Sequence, residues 1–303
     1  MSPLALHLEG VTKRFGPTLA VDDLSLQVER GAIYGFLGQN GAGKSTTIRM
    51  IMSILYPDEG SIRVLGEDRA EAVKDRLGYL PEERGLYKKM KVGTLLTYFG
   101  ELKGLPGAEA RRRARDLLER FGLGEWIERR CETLSKGMGQ KVQILGTVIH
   151  DPELVILDEP FSGLDPLNVE VMRELILEMK RDGRTVLFST HQMEQAEKIC
   201  DNIILIHKGR KLLDGPLSKI KAGAGHGILL DYDGDGSFLR TLPGVARIND
   251  GGKQAEIFLT EGADPQALLE AAVGRLRIRR FDLAEPSLHE IFVRAVGGSH
   301  HGE

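Results

Sequence analysis

The nonapeptide "GQNGAGKST" concentrates residue types that grip phosphate. Gly38, Gly43, Lys44 and Ser45 fill every fixed place of G-x-x-x-x-G-K-[ST]. Glycines let a loop turn its backbone N–H groups inward onto a β-phosphate, and a helix N-terminus behind the loop adds partial positive charge. Lys44 then reaches the β- and γ-phosphates, and the Ser45 hydroxyl is placed to ligate Mg²⁺. The whole loop, Gly38, Gln39, Asn40, Gly41, Ala42, Gly43, Lys44, Ser45 and Thr46, is the candidate phosphate site. A second group stands at the end of "LVILDEP": Asp158 to hold the metal, directly or through water, and Glu159 to orient and deprotonate an attacking water. Acids often end buried strands only to reach solvent; the phosphate loop upstream gives this pair a chemical reading. His191 closes "TVLFSTH" at the same expected edge, within reach of a γ-phosphate, although a lone His after a strand is more often structural.

These side chains need strands ending side by side, and the pattern supplies them. "AIYGFLG" is a short apolar run leading into the loop, and "KSTTIRMIMSIL" has helical spacing, with Ile48, Ile51, Met52 and Leu55 on one face. "LALHLEGV" and "LAVDDLSLQV" alternate with the period of half-buried strands. "LVILD" and "TVLFST" read as fully buried strands, separated by the amphipathic helix "EVMRELILEMKRDG" with its glycine stop. "NIILIHKGRKLLDG" reads as a hairpin about a Lys-Gly turn. Buried strands alternating with helices predict an α/β core. The stretch from Glu101 to Arg130 reads as a helical insertion, and its Arg111–Arg113 run as a solvated helix face.

Near Ile220 the texture changes. "KAGAGHG" reads as a linker, so the expected domains are 1–220 and 221–298, with 299–303 a disordered tail. Beyond the linker the order is strand (Gly227–Tyr232), short helix (Ser237–Leu242), strands (Val245–Asn249, Gln254–Thr260), helix (Asp264–Val273), strand (Leu276–Leu283) and helix (Ser287–Val296). Its first six elements follow β-α-β-β-α-β, which predicts a small α+β, ferredoxin-like domain. "DYDGDGS" matches the first half of a calcium loop, but Leu242 stands where that loop needs Glu, so a polar turn is expected. Arg275, Arg277 and Arg279 share one strand face and read as solvated.

A length of 303 residues suggests about two domains. A net charge of −3 argues against a nucleic-acid footprint. Cys131 and Cys200 lie in no metal-ligand spacing and read as reduced thiols. No secretory leader and no run of about 20 apolar residues is visible, so no direct membrane insertion is expected.

The set of motifs, taken in order, resembles the ATP-binding cassette ATPases from Leu4 to Pro216: phosphate loop, "LSKGMGQK", "LVILDEP", "SGLDP", "STH". The resemblance implies a RecA-like core with an antiparallel β subdomain and a helical insertion at about residues 87–150. It also implies ATP with Mg²⁺, and hydrolysis between two cassettes meeting head to tail. "LSKGMGQK" takes the place of the signature loop, where Ser135, Lys136 and Gly137 would bind the partner's nucleotide; Lys136 replaces a Gly and Met138 a Gln. Glu82 stands where the family carries a metal-reaching Gln, and Phe15 where an aromatic stacks on adenine. "LPEERGLY" and "EPSLHEIFVRAVG" resemble a sub-branch of bacterial exporters linked to sodium or drug export. That implies separately encoded transmembrane permease subunits, a second copy of this chain as partner, and a peripheral place at the cytoplasmic face of the inner membrane. A soluble cassette acting on nucleic acid or ribosomes is the alternative, but the chain shows one cassette and no sustained heptads between Lys44 and Asp158. A P-loop kinase or GTPase would leave "LSKGMGQK" without a role, and the Asn-Lys-x-Asp guanine motif is absent.

Overall fold

The computed structural model describes residues 4–83, 85–223, 227–260, 262–284 and 286–298. The expected tail at 299–303 lies outside them. The chain divides into two compact units, Met1–Gly215 and Pro216–Glu303. In the first, strands β1 (Leu4–Phe15), β2 (Thr18–Glu29) and β3 (Ile33–Leu37) lead to helix α1 (Lys44–Ile51) and strands β4 (Glu59–Val64) and β5 (Leu77–Leu80). Helices α2 (Val92–Leu102), α3 (Gly107–Arg120) and α4 (Lys136–Val148) follow. Then come β6 (Leu154–Asp158), α5 (Pro166–Arg181), β7 (Thr185–Thr190), α6 (Met193–Ile199), β8 (Asn202–His207) and β9 (Arg210–Pro216).

Two sheets result. One is antiparallel, in the order β2-β1-β4; the other runs β5-β6-β7-β3-β8-β9. Its first five strands are parallel. Every residue of β3, β6 and β7 is buried, which is why these strands read as unbroken apolar runs rather than alternating ones. The hairpin of β8 and β9 turns through Lys208 (φ 49°) and Gly209 (φ 82°), both left-handed, as a two-residue turn of this twist requires. At the sheet's N-terminal end Glu153 bridges Arg76 and Arg30, whose guanidinium groups hold its carboxyl down at about 2. That clamp leaves the C-terminal strand ends to carry chemistry.

Helices α2, α3 and α4 form the insertion. A Cβ on Gly146 of α4 would come within 2.5 Å of the Phe99 ring of α2, so a glycine there lets the two helices meet. The last part of the stretch expected to be helical, past α3, forms 3₁₀ turns instead, at Gly124–Trp126 and Cys131–Thr133.

In the second unit α7 (Leu217–Gly223) takes up Lys221–Gly223 of the expected linker, and its residues 224–226 lie outside the described residues. Then come β10 (Gly227–Asp233), β11 (Val245–Asp250), β12 (Gln254–Leu259), α8 (Pro265–Ala272), β13 (Arg277–Ala284) and α9 (Leu288–Gly298). The antiparallel sheet order β11-β12-β10-β13 is that of a split βαβ fold, and a 3₁₀ turn at Ser237–Thr241 replaces its first helix. The acids of "DYDGDGS" serve the turn. Asp233 pairs with Arg279, and Asp235 accepts the Ser237 N–H. A Cβ on Gly236 would lie 2.2 Å from the buried Tyr232 hydroxyl, which explains that glycine without calcium.

His150 follows α4 and is 8% exposed. Its Nε2 lies 2.9 Å from the Leu77 carbonyl, so Nε2 carries the proton. Burial, opposed by that hydrogen bond and reinforced by Lys103, pulls its pKa from 6.5 to about 4. The folded value lies below the unfolded one, so this stability is complete above pH 6.5 and is lost as pH falls toward 4. The gap corresponds to about 3 kcal/mol. Urea denaturation followed by the lone tryptophan, Trp126, should show that extra loss on acidification, and His150→Gln should remove it.

Candidate functional site

The strand β3 ends into Gly38, and α1 starts at Lys44 with Gly43 as its cap. Gly43 has φ 106°, and a Cβ there would come 2.5 Å from the Ala20 carbonyl, so both backbone and space demand glycine. A Cβ on Gly38 would lie 2.6 Å from the Ile206 carbonyl. The β8–β9 turn buttresses the loop: the Gly209 N–H donates to Ala42 O at 3.0 Å, and Asp22 N–H to Gly209 O at 3.0 Å. A cavity of about 610 Å³ opens over the loop, lined by Thr18, Leu19, Ala20, Asn40, Gly41, Gly43, Lys44, Ser45, Thr46, Glu82, Glu159 and Lys208.

Beneath it the acid pair is tightly held. The parallel register sets Asp158 beside Ser189. The Ser45 hydroxyl donates to Asp158 Oδ1 at 3.3 Å, and the Ser189 hydroxyl donates to the same oxygen. Ser189 Oγ also accepts the Glu159 N–H at 3.0 Å. Glu159 stands at φ 49°, a left-handed conformation that costs a non-glycine residue about 1–3 kcal/mol. That turn aims its carboxylate at the side chains of Lys44 and His191. Lys44 Nζ lies 3.4 Å from Oε1, and His191 Nδ1 lies 3.0 Å from Oε2. A carboxylate oxygen only accepts, so His191 Nδ1 carries a proton and Nε2 is left for another partner. Lys44 also donates to the carbonyls of Gly38 at 2.8 Å and Gln39 at 3.3 Å.

The structure therefore gathers Lys44, Ser45, Asp158, Glu159 and His191 at one strand edge, with Glu82 on the cavity wall. Phe15 is not among the cavity's lining residues; it is exposed and pairs in register with Thr18, which is. Ser135, Lys136 and Gly137 are not there either. Ser135 caps α4, its Oγ accepting the Met138 N–H at 3.2 Å, and lines a separate cavity of about 500 Å³ with Lys136, Gln140, Ser162 and Glu82. A Cβ on Gly137 would overlap the Asn168 amide, so that loop lies against the start of α5. The Asn168 N–H in turn bonds Asp165 and lowers its carboxyl pKa. Lys136 is exposed, and its Nζ lies over Gly163 of "SGLDP": a Cβ on Gly163 would lie 2.5 Å from it. Sequence reasoning missed Ser189 and Lys208. The pairing of adjacent strand ends points to the first, since Ser189 precedes His191 by two residues; nothing local marks the second.

A phosphate loop, a buried metal-type acid and a following carboxylate at the ends of parallel strands of one sheet, with one strand between them, define a P-loop nucleoside triphosphatase. Residues 21–162 match the family described as "ABC transporter", and residues 215–296 match the C-terminal domain of DrrA1-3-like ATP-binding proteins. The uncharacterized ABC transporter ATP-binding protein YhaQ of Bacillus subtilis (strain 168) is 41% identical over 96% of this chain and 98% of its own length. The Nod factor export ATP-binding protein I of Ralstonia nicotianae is 34% identical over 96% of this chain and 94% of its own. A solved structure of the ATP-binding subunit of an ABC transporter superposes with TM-score 0.65 at 34% identity, covering 72% of this chain and 92% of that one. The chain belongs to the ABC transporter ATP-binding proteins, subunits whose characteristic activity is ATP hydrolysis.

Gly43 and Gly41 separate two requirements of the loop. Both have positive φ, but a Cβ on Gly41 meets nothing within 4 Å. Gly43→Ala should therefore weaken binding of a fluorescent ATP analogue by at least about tenfold, and Gly41→Ala by distinctly less. Equal losses would mean that backbone strain alone sets the loop.

Proposed function

We propose that this chain hydrolyses ATP as one half of a head-to-tail pair of identical copies and thereby drives the separate permease subunits of an exporter. One observation carries the reading. The groups suited to phosphate, metal and water line one cavity, while Ser135 and Lys136 line another. A second copy, rotated about a two-fold axis, supplies to each phosphate site the signature residues it lacks.

In this arrangement the phosphates lie on the backbone of Gly38–Thr46, and Phe15 stacks on the adenine at the cavity mouth. Lys44 exchanges part of its pairing with Glu159 for the β- and γ-phosphates. Ser45, Asp158 and Glu82 are hard oxygen donors, the kind Mg²⁺ takes, and would hold it there to neutralise phosphate charge. Glu159 orients the attacking water and accepts its proton, with its carboxylate fixed by His191, whose Nε2 faces the γ-phosphate. From the partner copy, Ser135 Oγ, Lys136 and the Gly137 N–H bind the γ-phosphate.

Export is supported by the Nod factor export relative and by the match of the second unit to a DrrA1-3-like domain. No described helix is long and apolar enough to cross a membrane, so a separately encoded permease would make the pathway, with the helical insertion as its dock. The cassette sits peripherally at the cytoplasmic face of the inner membrane and has no nucleic-acid partner.

Light scattering behind size exclusion tests the pairing. Glu159→Gln with Mg-ATP should run at the mass of two chains, and adding Ser135→Arg should return it to one. A single-chain mass for Glu159→Gln at saturating Mg-ATP sinks the head-to-tail reading.

A further inference from the structure

The nucleotide cavity has a second lysine in its wall, outside every motif. Lys208 lines it together with Lys44. It stands in the two-residue turn between β8 and β9, at φ 49°. A turn with positive φ at both places favours Asn, Asp or Gly at the first, because a longer side chain there crowds its own backbone. The second place follows that rule with Gly209. Lys208 does not, and a strained backbone kept at the wall of a ligand cavity points to a use for its side chain.

The cations around it are matched. Lys13 pairs with Asp58, Arg210 with Asp22, and Lys211 with Asp214. Lys44 has Glu159. Lys208 is exposed and makes no ion pair or hydrogen bond among the described residues. An ammonium in this state adds positive potential to the cavity and meets an anion without first giving up a partner. The turn that carries it is fixed. Besides the Gly209 N–H bond to Ala42 O, a Cβ on Gly209 would lie 3.0 Å from the Ala20 carbonyl, and a Cβ on Gly43 would lie 3.6 Å from Gly209 Cα. Within the cavity Glu82 and Glu159 belong with the metal and the water. Thr18, Leu19 and Ala20 carry on from Phe15, on the adenine side of the arrangement above. Gly209 leans on Ala20, so Lys208 enters the site from the adenosine side.

We propose that Lys208 is a further nucleotide-binding residue: its ammonium pairs with the α-phosphate, the one nearest the sugar, while Lys44 serves the β- and γ-phosphates. This rests on the placement of ATP along Gly38–Thr46 given above. The α-phosphate keeps its charge when the terminal bond is cut. Lys208 therefore holds ATP and ADP alike, and contributes to affinity rather than to the chemical step.

Calorimetric titration of the full chain with Mg²⁺ and either ADP or a non-hydrolysable ATP analogue tests the assignment, with Lys208→Asn and Lys208→Arg beside the wild type. Asn suits the turn but carries no charge. Lys208→Asn should therefore raise the Tm of the nucleotide-free chain by about 1–3 °C and yet weaken both nucleotides by about three- to tenfold. Lys208→Arg should stay within about twofold of wild type. The gap between the wild type and Lys208→Asn should narrow as salt rises from about 50 to 500 mM. Wild-type affinity in Lys208→Asn overturns the assignment. So does a loss confined to the ATP analogue, which would put the ammonium at the γ-phosphate. A lower Tm with equal loss in both variants, or a loss that ignores salt, would make Lys208 a structural part of the turn and overturn it too. Gly43→Ala at wild-type affinity would instead overturn the placement of the phosphates on the loop, and this assignment with it.

Discussion

A buried ammonium and a buried carboxylate face each other across 3.4 Å at the edge of the central sheet. The side chains of Lys44 and Glu159 are each 6% exposed, so neither charge is eased by water. Burial of such a pair is tolerated only when the remaining donors and acceptors are satisfied, and breaking it by removing one partner costs about 3–5 kcal/mol. Lys44 also donates to two loop carbonyls, and Glu159 Oε2 has His191 beside it. The left-handed backbone at Glu159 costs less than the loss of the pair, about 1–3 kcal/mol. The strain is therefore retained, and Ser189 secures it by accepting the Glu159 N–H. A loop that already holds its lysine beside one anion is electrostatically prepared for another. An incoming phosphate group takes over a cation that is in place, with little rearrangement of the loop.

The same economy does not extend to the loop at the start of α4. Ser135 and Lys136 belong to a loop fixed from below, with Gly137 against Asn168 and the Gln140 side chain donating to the Pro160 carbonyl. Pro160 follows Glu159, so the loop at the start of α4 and the segment carrying Glu159 are tied through this hydrogen bond. Lys136, lying over Gly163, adds a second contact between the two loops. Replacing a signature glycine by lysine thus has a structural consequence besides charge: the long side chain covers the turn that follows the acid.

The phosphate loop is legible in the sequence because covalent neighbours perform most of its chemistry, and glycine spacing survives any change of surroundings. The buried strands are legible for a similar reason: β3, β6 and β7 are apolar throughout, as parallel strands covered on both faces must be. What escaped depends on pairing across long separations. Ser189 matters because β7 lies in register beside β6, and Lys208 because the β8–β9 turn folds back onto the loop; neither residue type announces that. The start of the second unit was blurred by composition. Lys221–Gly223 looks like a linker, yet it closes a short helix, since a small, Gly-containing end is also how helices stop. His150 was passed over entirely, because a histidine before an Asp-Pro turn has no sequence mark that separates a locked tautomer from a solvated ring.

The segment after β5 joins these parts. Glu82 lines the nucleotide cavity and also the cavity beside Ser135, while Pro81, Glu83 and Gly85 line the groove over His150. Three surfaces thus share a handful of consecutive residues. Covalent geometry makes the sharing consequential, because adjacent Cα atoms are held about 3.8 Å apart and a shift of ångström size at Glu83 cannot leave Glu82 where it was. A glutamate at this position carries a charge that a glutamine lacks. Moving it relative to a metal and a triphosphate changes the local field, and not merely one hydrogen bond. The cavities on either side of this segment are thus linked by chain connectivity alone, with no relay through the core between them.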